Sequence, residues 1–137
     1  MNLILNIKPM AKQSVRFTRN GHRYQPAEVV NYHNYLRMVA QQEMAETGQT
    51  IFTTAIRVEI IARFVIPKSA PAAMRHNIEK GLCAPKTTKP DIDNLVKATL
   101  DPLNGIVWAD DALITDIVVA KRWSDRNQLT ICVEKTL

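Results

Sequence analysis

The sequence predicts an α+β fold: a small mixed sheet of about four to five strands packed against two main helices. Three observations carry this. Ile56, Val58, Ile60, Ala62 and Phe64 alternate with Arg57, Glu59, Ile61, Arg63 and Val65, the period of a strand. Residues 26–46 and 92–103 place apolar side chains at helical spacing. The last two strand-like runs follow each other directly, unlike the βα alternation of a doubly wound sheet.

In chain order, Leu3, Leu5 and Ile7 alternate and predict a first strand. Residues 9–25 read as a basic, turn-rich loop with a tight turn at Asn20-Gly21. Pro26 suits a first helical turn. Val29, Tyr32, Leu36, Val39 and Ala40 then form a stripe to about Glu46, and Gly48 ends it. The strand over 56–65 follows. Residues 67–90 read as a long, mobile basic loop, with only a poor helical pattern over 70–80. Pro90 disfavours helix in Lys89 and favours an abrupt start of the next helix. Ile92, Leu95, Val96, Thr99, Leu100 and Leu103 give its apolar stripe, which Pro102 and Asn104-Gly105 bring to an end. Residues 106–108 read as a short strand or extended piece and Asp110-Asp111 as a turn. Residues 113–123 and 129–134 read as a hairpin closed by 124–127.

At 137 residues the chain is read as one domain, 1–137. No apolar run approaches the length of a membrane span, so no membrane partner is expected. Cys83 and Cys132 lack metal-ligand spacing and demand no disulfide, which fits a reducing cytoplasm. The net charge is +5, concentrated in residues 1–37 and 67–90. Basic segments rich in turn residues suit a polyanion such as DNA, with Lys12, Arg16, Arg19, Arg23, Lys86 and Lys89 as the candidate contacts.

Against this background six carboxylates crowd into 91–116: Asp91, Asp93, Asp101, Asp110, Asp111 and Asp116. Asp91 falls at a helix N-cap and Asp93 in the first turn, where acids suit the backbone for structural reasons alone. Asp93, Lys97 and Asp101 step by four along one face, where surface ion pairs are the plain reading. Taken jointly, Asp91, Asp93 and Asp111 are expected to converge on a hard divalent cation, Mg²⁺, with Lys97 able to reach a phosphate oxygen. A metal-dependent phosphodiesterase is as far as the residues reach by themselves.

Lys-Pro-Asp-Ile-Asp-Asn-Leu-Val-Lys-Ala (89–98), then Asp101 and Trp-Ala-Asp-Asp-Ala (108–112), resembles the RusA family of Holliday junction resolvases. The resemblance is specific over 89–123 and loose in the N-terminal third. It implies an Mg²⁺-dependent, homodimeric endodeoxyribonuclease, often prophage-borne, that resolves four-way DNA junctions by paired nicks in recombination and repair. It implies Asp91, Asp93 and Asp111 as metal ligands and Lys97 as the lysine needed for cleavage, with no nucleotide cofactor; Asp110 is adjacent and could contribute. A four-way junction nicked at two related points implies a twofold dimer. Two other readings stay open: a metal-dependent nuclease on other branched or single-stranded DNA, and a non-catalytic junction-binding module.

Overall fold

The computed structural model describes residues 1–12 and 16–137. The chain forms β1 (Asn2–Leu5), β2 (Arg16–Phe17), β3 (Arg23–Tyr24), α1 (Ala27–Thr47), β4 (Ile56–Val65), α2 (Ala72–Glu79), β5 (Ala84–Pro85), α3 (Ile92–Leu103), β6 (Ile114–Ser124) and β7 (Gln128–Lys135). A single 3₁₀ turn, Asp111–Leu113, leads into β6. No helix among the described residues is long and apolar enough to cross a membrane.

The strict alternation of β4 has a structural reason. Ile56, Val58, Ile60, Ala62 and Phe64 are buried on one face, while the other face is half-covered. β4 is the middle strand of a five-stranded sheet ordered β1-β7-β4-β6-β5. It runs antiparallel to β7 and parallel to β6. The α+β class and the mixed sheet therefore stand, but the expected hairpin does not. β6 and β7 never pair; β4 lies between them, so residues 125–127 step across its end. That crossing is bonded in place: Asn127 Oδ1 accepts from the Val65 amide at 2.9 Å, and the Ser124 carbonyl accepts from the Ile66 amide at 3.0 Å. Sequence neighbours make a hairpin only when neither prefers another partner, and the apolar β4 is the better partner for both.

α1 buries Val29, Tyr32, Leu36 and Ala40 and ends at Gly48, whose φ of 72° is the left-handed cap that a glycine takes without strain. α3 packs beside α1 and buries Leu95, Ala98, Thr99 and Leu103. Pro102 does not interrupt α3; it sits in the last turn, and its carbonyl accepts from Arg37 Nε of α1 at 3.2 Å. Residues 106–108 are not a strand: among the described residues Trp108 makes only isolated bridges, to Phe52 and to Asn104. The 67–90 segment, read as a loop, carries α2 and β5. In the 9–25 segment, β2 and β3 make a small ribbon turned at Gly21, with φ of 77°; the part of that loop at 13–15 lies outside the described residues.

Candidate active site

The start of α3 is where the acidic motif meets the basic surface. Asp91 occupies the N-cap position with extended backbone, yet its side chain makes no capping bond. Its carboxylate instead accepts from Lys89 Nζ at 2.7 Å. That bond, chiefly, and the nearby Lys121 ammonium hold the Asp91 carboxyl below the usual range. Asp93 is exposed in the first turn of the same helix. Lys121 reaches in from β6 and donates to the carbonyls of Thr88 and Pro90, each at 2.8 Å. The Lys12 amide donates to the Asn94 carbonyl at 2.9 Å, which ties the N-terminal segment to the first turn of α3.

These elements enclose a cleft of about 470 Å³, lined among others by Lys8, Met10, Phe64, Lys86, Lys89 and Asp91. Lys86 corrects an expectation. It was expected on a mobile loop facing DNA, but it is only 8% exposed. Its ammonium lies 4.3 Å from the Trp123 ring centroid and 5.0 Å from that of Phe64, and donates to Thr88 Oγ1 and the Lys89 carbonyl. Burial, then the Lys121 and Lys8 charges, pull its pKa below the ordinary lysine value, while the ring faces oppose that pull. Lys86 organises the cleft wall and is poorly placed to meet a phosphate. Lys89, Lys12, Arg16, Arg19 and Arg23 are exposed, as a backbone-contacting set requires. The arginines stand on the β2–β3 ribbon with Phe17 and Tyr24, also exposed, and Arg23 lies 5.9 Å from the Phe17 ring centroid.

Lys97 pairs with Asp101 at 3.4 Å, one turn on, and both are accessible. This is the surface pair that spacing alone suggests. Asp110 caps the 3₁₀ turn, accepting from the Ala112 amide at 2.8 Å. Asp111 is half-buried, and its Oδ1 accepts from Nε1 of the fully buried Trp108 at 2.7 Å. Trp123, by contrast, is half-buried beneath Lys86. Trp108 bridges Asn104, the C-cap of α3, so Asp111 belongs to the far end of that helix. With 12 residues, α3 separates the two ends by about 18 Å. The expected convergence of Asp91, Asp93 and Asp111 therefore fails within one chain. Among the described residues no three His, Cys, Asp or Glu side chains stand close enough to hold a metal. Asp91 and Asp93 offer hard oxygen donors suited to Mg²⁺, but only two of the three expected.

Sequence reasoning missed Lys121 and Lys8. Lys121 lies in an apolar strand run, and the only signal for it was that β6 must return past the start of α3. No histidine joins the site: His22 and His76 are exposed, and burial beside Arg37 lowers the pKa of His33.

The family model for endodeoxyribonuclease RusA matches residues 6–134 of this chain. The chain is also 33% identical over 121 residues to the uncharacterized protein YqaN of Bacillus subtilis (strain 168), covering 85% of this chain and 82% of that protein.

Proposed function

The chain belongs to the RusA family of endodeoxyribonucleases, and on that premise we propose that it resolves four-way DNA junctions by paired nicks, in recombination and repair, as a homodimer that requires Mg²⁺. The observation that carries the reading is the position of the family's acidic motif. It opens α3 on the wall of a cleft lined by Lys8, Lys89 and Asp91, with Lys121 bonded to the Pro90 carbonyl behind them and Asp93 exposed in the same helical turn, so a phosphodiester drawn in by the lysines meets Asp91 first. Mg²⁺ is the group this carboxylate pair suits, and when bound it would supply charge neutralisation at the phosphate. A single chain does not complete the ligand set.

The remaining roles fall to residues of this chain. Lys89 releases Asp91 when a phosphate competes for its ammonium. Lys97, on an exposed pair with Asp101, exchanges that carboxylate for a phosphate oxygen and stabilises charge developing there. The arginines of the β2–β3 ribbon neutralise flanking phosphates, a sequence-independent attraction. Phe17 and Tyr24 present aromatic faces to unstacked bases where arms meet.

The test incubates the purified protein with a four-way junction, a flap and a linear duplex, with and without Mg²⁺, on denaturing gels. Symmetric nicks confined to the junction support the proposal. Cutting of flaps or single strands in preference moves the substrate class. Tight junction binding without nicking in Mg²⁺ leaves a binding module in place of an enzyme.

A further inference from the structure

The cleft beside Asp91 carries a chemistry that phosphate attraction leaves unused. Met10, Phe64, Val65 and Trp123 give it an apolar side. Phe64 and Trp123 stand opposite each other on β4 and β6, with the Lys86 ammonium against both rings. A phosphate gains nothing from such a wall, whereas a flat aromatic ligand does. The volume of about 470 Å³ falls within the range of about 300–1,000 Å³ found for small-molecule sites. The polar groups around it are mostly donors. Asn127 Oδ1 is spent on the Val65 amide at 2.9 Å, which leaves its NH₂ as the available end, and no hydrogen bond among the described residues engages that group. Lys86 commits two of its three N–H donors, to Thr88 and Lys89. Lys8 is exposed and lines the same cleft. The one carboxylate present, Asp91, is held by Lys89.

We propose that this cleft holds one unstacked base of the strand being cut, that Asn127 selects a base bearing a carbonyl oxygen, and that cleavage thereby acquires a sequence preference. The proposal deepens the nuclease reading and rests on it for what is cut. Asp91 lines the same cleft, so a strand with a phosphate at Asp91 brings the neighbouring base to its opening. Taking a base out of its stack is costly, and least so where stacking is already broken, as at the crossover of a four-way junction. Met10, Val65 and Trp123 return part of the contact that the stack gave up. Guanine, thymine and cytosine each offer a carbonyl oxygen to the Asn127 NH₂. Adenine has none, and its amino group sets a donor against a donor. The arginines of the β2–β3 ribbon meet phosphates and carry no sequence information, so a base edge is read in this cleft and not there.

The test has two arms. In the first, four-way junctions randomised around the crossover are nicked in Mg²⁺ and the nick positions are sequenced. Wild type should disfavour adenine beside the nick by about tenfold, the effect of one hydrogen bond lost at a donor left unpaired. Asn127→Asp keeps an oxygen for the Val65 amide but turns the free end from donor to acceptor. It should fold as wild type by circular dichroism and lose or reverse the bias against adenine. No adenine bias in wild type, or the same bias in Asn127→Asp, overturns the proposal. The second arm needs no nicking. Thymines around the crossover are replaced one at a time by 5-iodouracil, and the complex is irradiated in buffer free of divalent ions. At one position the base should cross-link to Trp123 or Met10. Ala11→Trp, which fills the cleft, should bind the junction and lose that adduct. Adducts confined to Phe17 and Tyr24, or none at all, overturn the cleft as the base site. If wild type cuts nothing, the nuclease reading falls by itself, and the adduct still decides whether the cleft takes a base.

Discussion

Removing the Asp111 carboxylate should cost stability as well as any activity, and the two losses should separate cleanly. Asp111 Oδ1 accepts from the Trp108 indole at 2.7 Å, and Trp108 is 0% exposed. Asp111→Ala strands a buried N–H donor with nothing to replace its acceptor, a penalty of about 1–3 kcal/mol. Asp111→Asn keeps a carbonyl oxygen in the same place, so its cost should stay below about 0.5 kcal/mol. For a chain of this size, a urea slope of about 2 kcal/mol/M turns the first figure into a fall of roughly 1 M in the unfolding midpoint. Both substitutions should abolish nicking. Trp108→Phe supplies the control: with the donor gone, adding Asp111→Ala should cost little more, a coupling of about 1–2 kcal/mol in the double-mutant cycle. An Asp111→Ala midpoint equal to wild type would refute the argument, because the indole would then have no dependence on this carboxylate.

Lys97→Ala should fold with a stability change below about 0.5 kcal/mol, because its partner is an exposed Asp101, and should bind junctions without cutting them; normal nicking would leave Lys97 as a surface pair only. Tyr32→Phe should be neutral or slightly stabilising in urea. Its hydroxyl is buried without a hydrogen-bond partner among the described residues, and burial raises its pKa to about 12, with the Met10 backbone nearby but not in bonding geometry. His33 should make the protein less stable in acid: burial, then Arg37, lowers its pKa in the fold, against a weaker opposing pull from Asp101. The unfolded chain therefore takes up the proton first, and stability present above about pH 6.5 drains as pH falls through the folded value. The urea midpoint of His33→Gln should fall less between pH 7 and pH 5.5 than that of wild type. Lys89→Ala should lower the salt slope of junction binding by about 0.9 if its ammonium meets one duplex phosphate, and an unchanged slope would assign it to Asp91 alone.

The elements that carry their own periodicity were legible in the sequence. β4 alternates because its buried face needs every second residue apolar, and the stripes of α1 and α3 mark the faces they bury. Asp91 at a helix start followed from Pro90 alone. What periodicity does not encode is which elements meet. Separated by three residues, 125–127, β6 and β7 looked like a hairpin, yet the apolar β4 wins both as neighbours. Asp111 lies 20 positions after Asp91, and nothing local reveals that α3 holds the two apart along its whole length. Lys86 stands in a Pro-Lys-Thr-Thr-Lys run that reads as solvated. Its burial comes from Phe64 and Trp123, which belong to other strands.

The place of β7 between β1 and β4 bears on the order of events during synthesis. Among the described residues β1 has no other neighbour in the sheet, and its pairing spans most of the sequence: the Met1 amino group donates to the Val133 carbonyl at 2.9 Å, and the Val133 amide donates to the Met1 carbonyl at 2.8 Å. β1, which leaves the ribosome well before β7, therefore waits for it. Until β7 emerges, the apolar faces of Leu3, Leu5 and Ile60 have no strand to close against on that side, and such long-range closure makes folding slow. The nascent chain spends that interval with open strand edges, the condition in which chaperone capture and misassembly compete with folding.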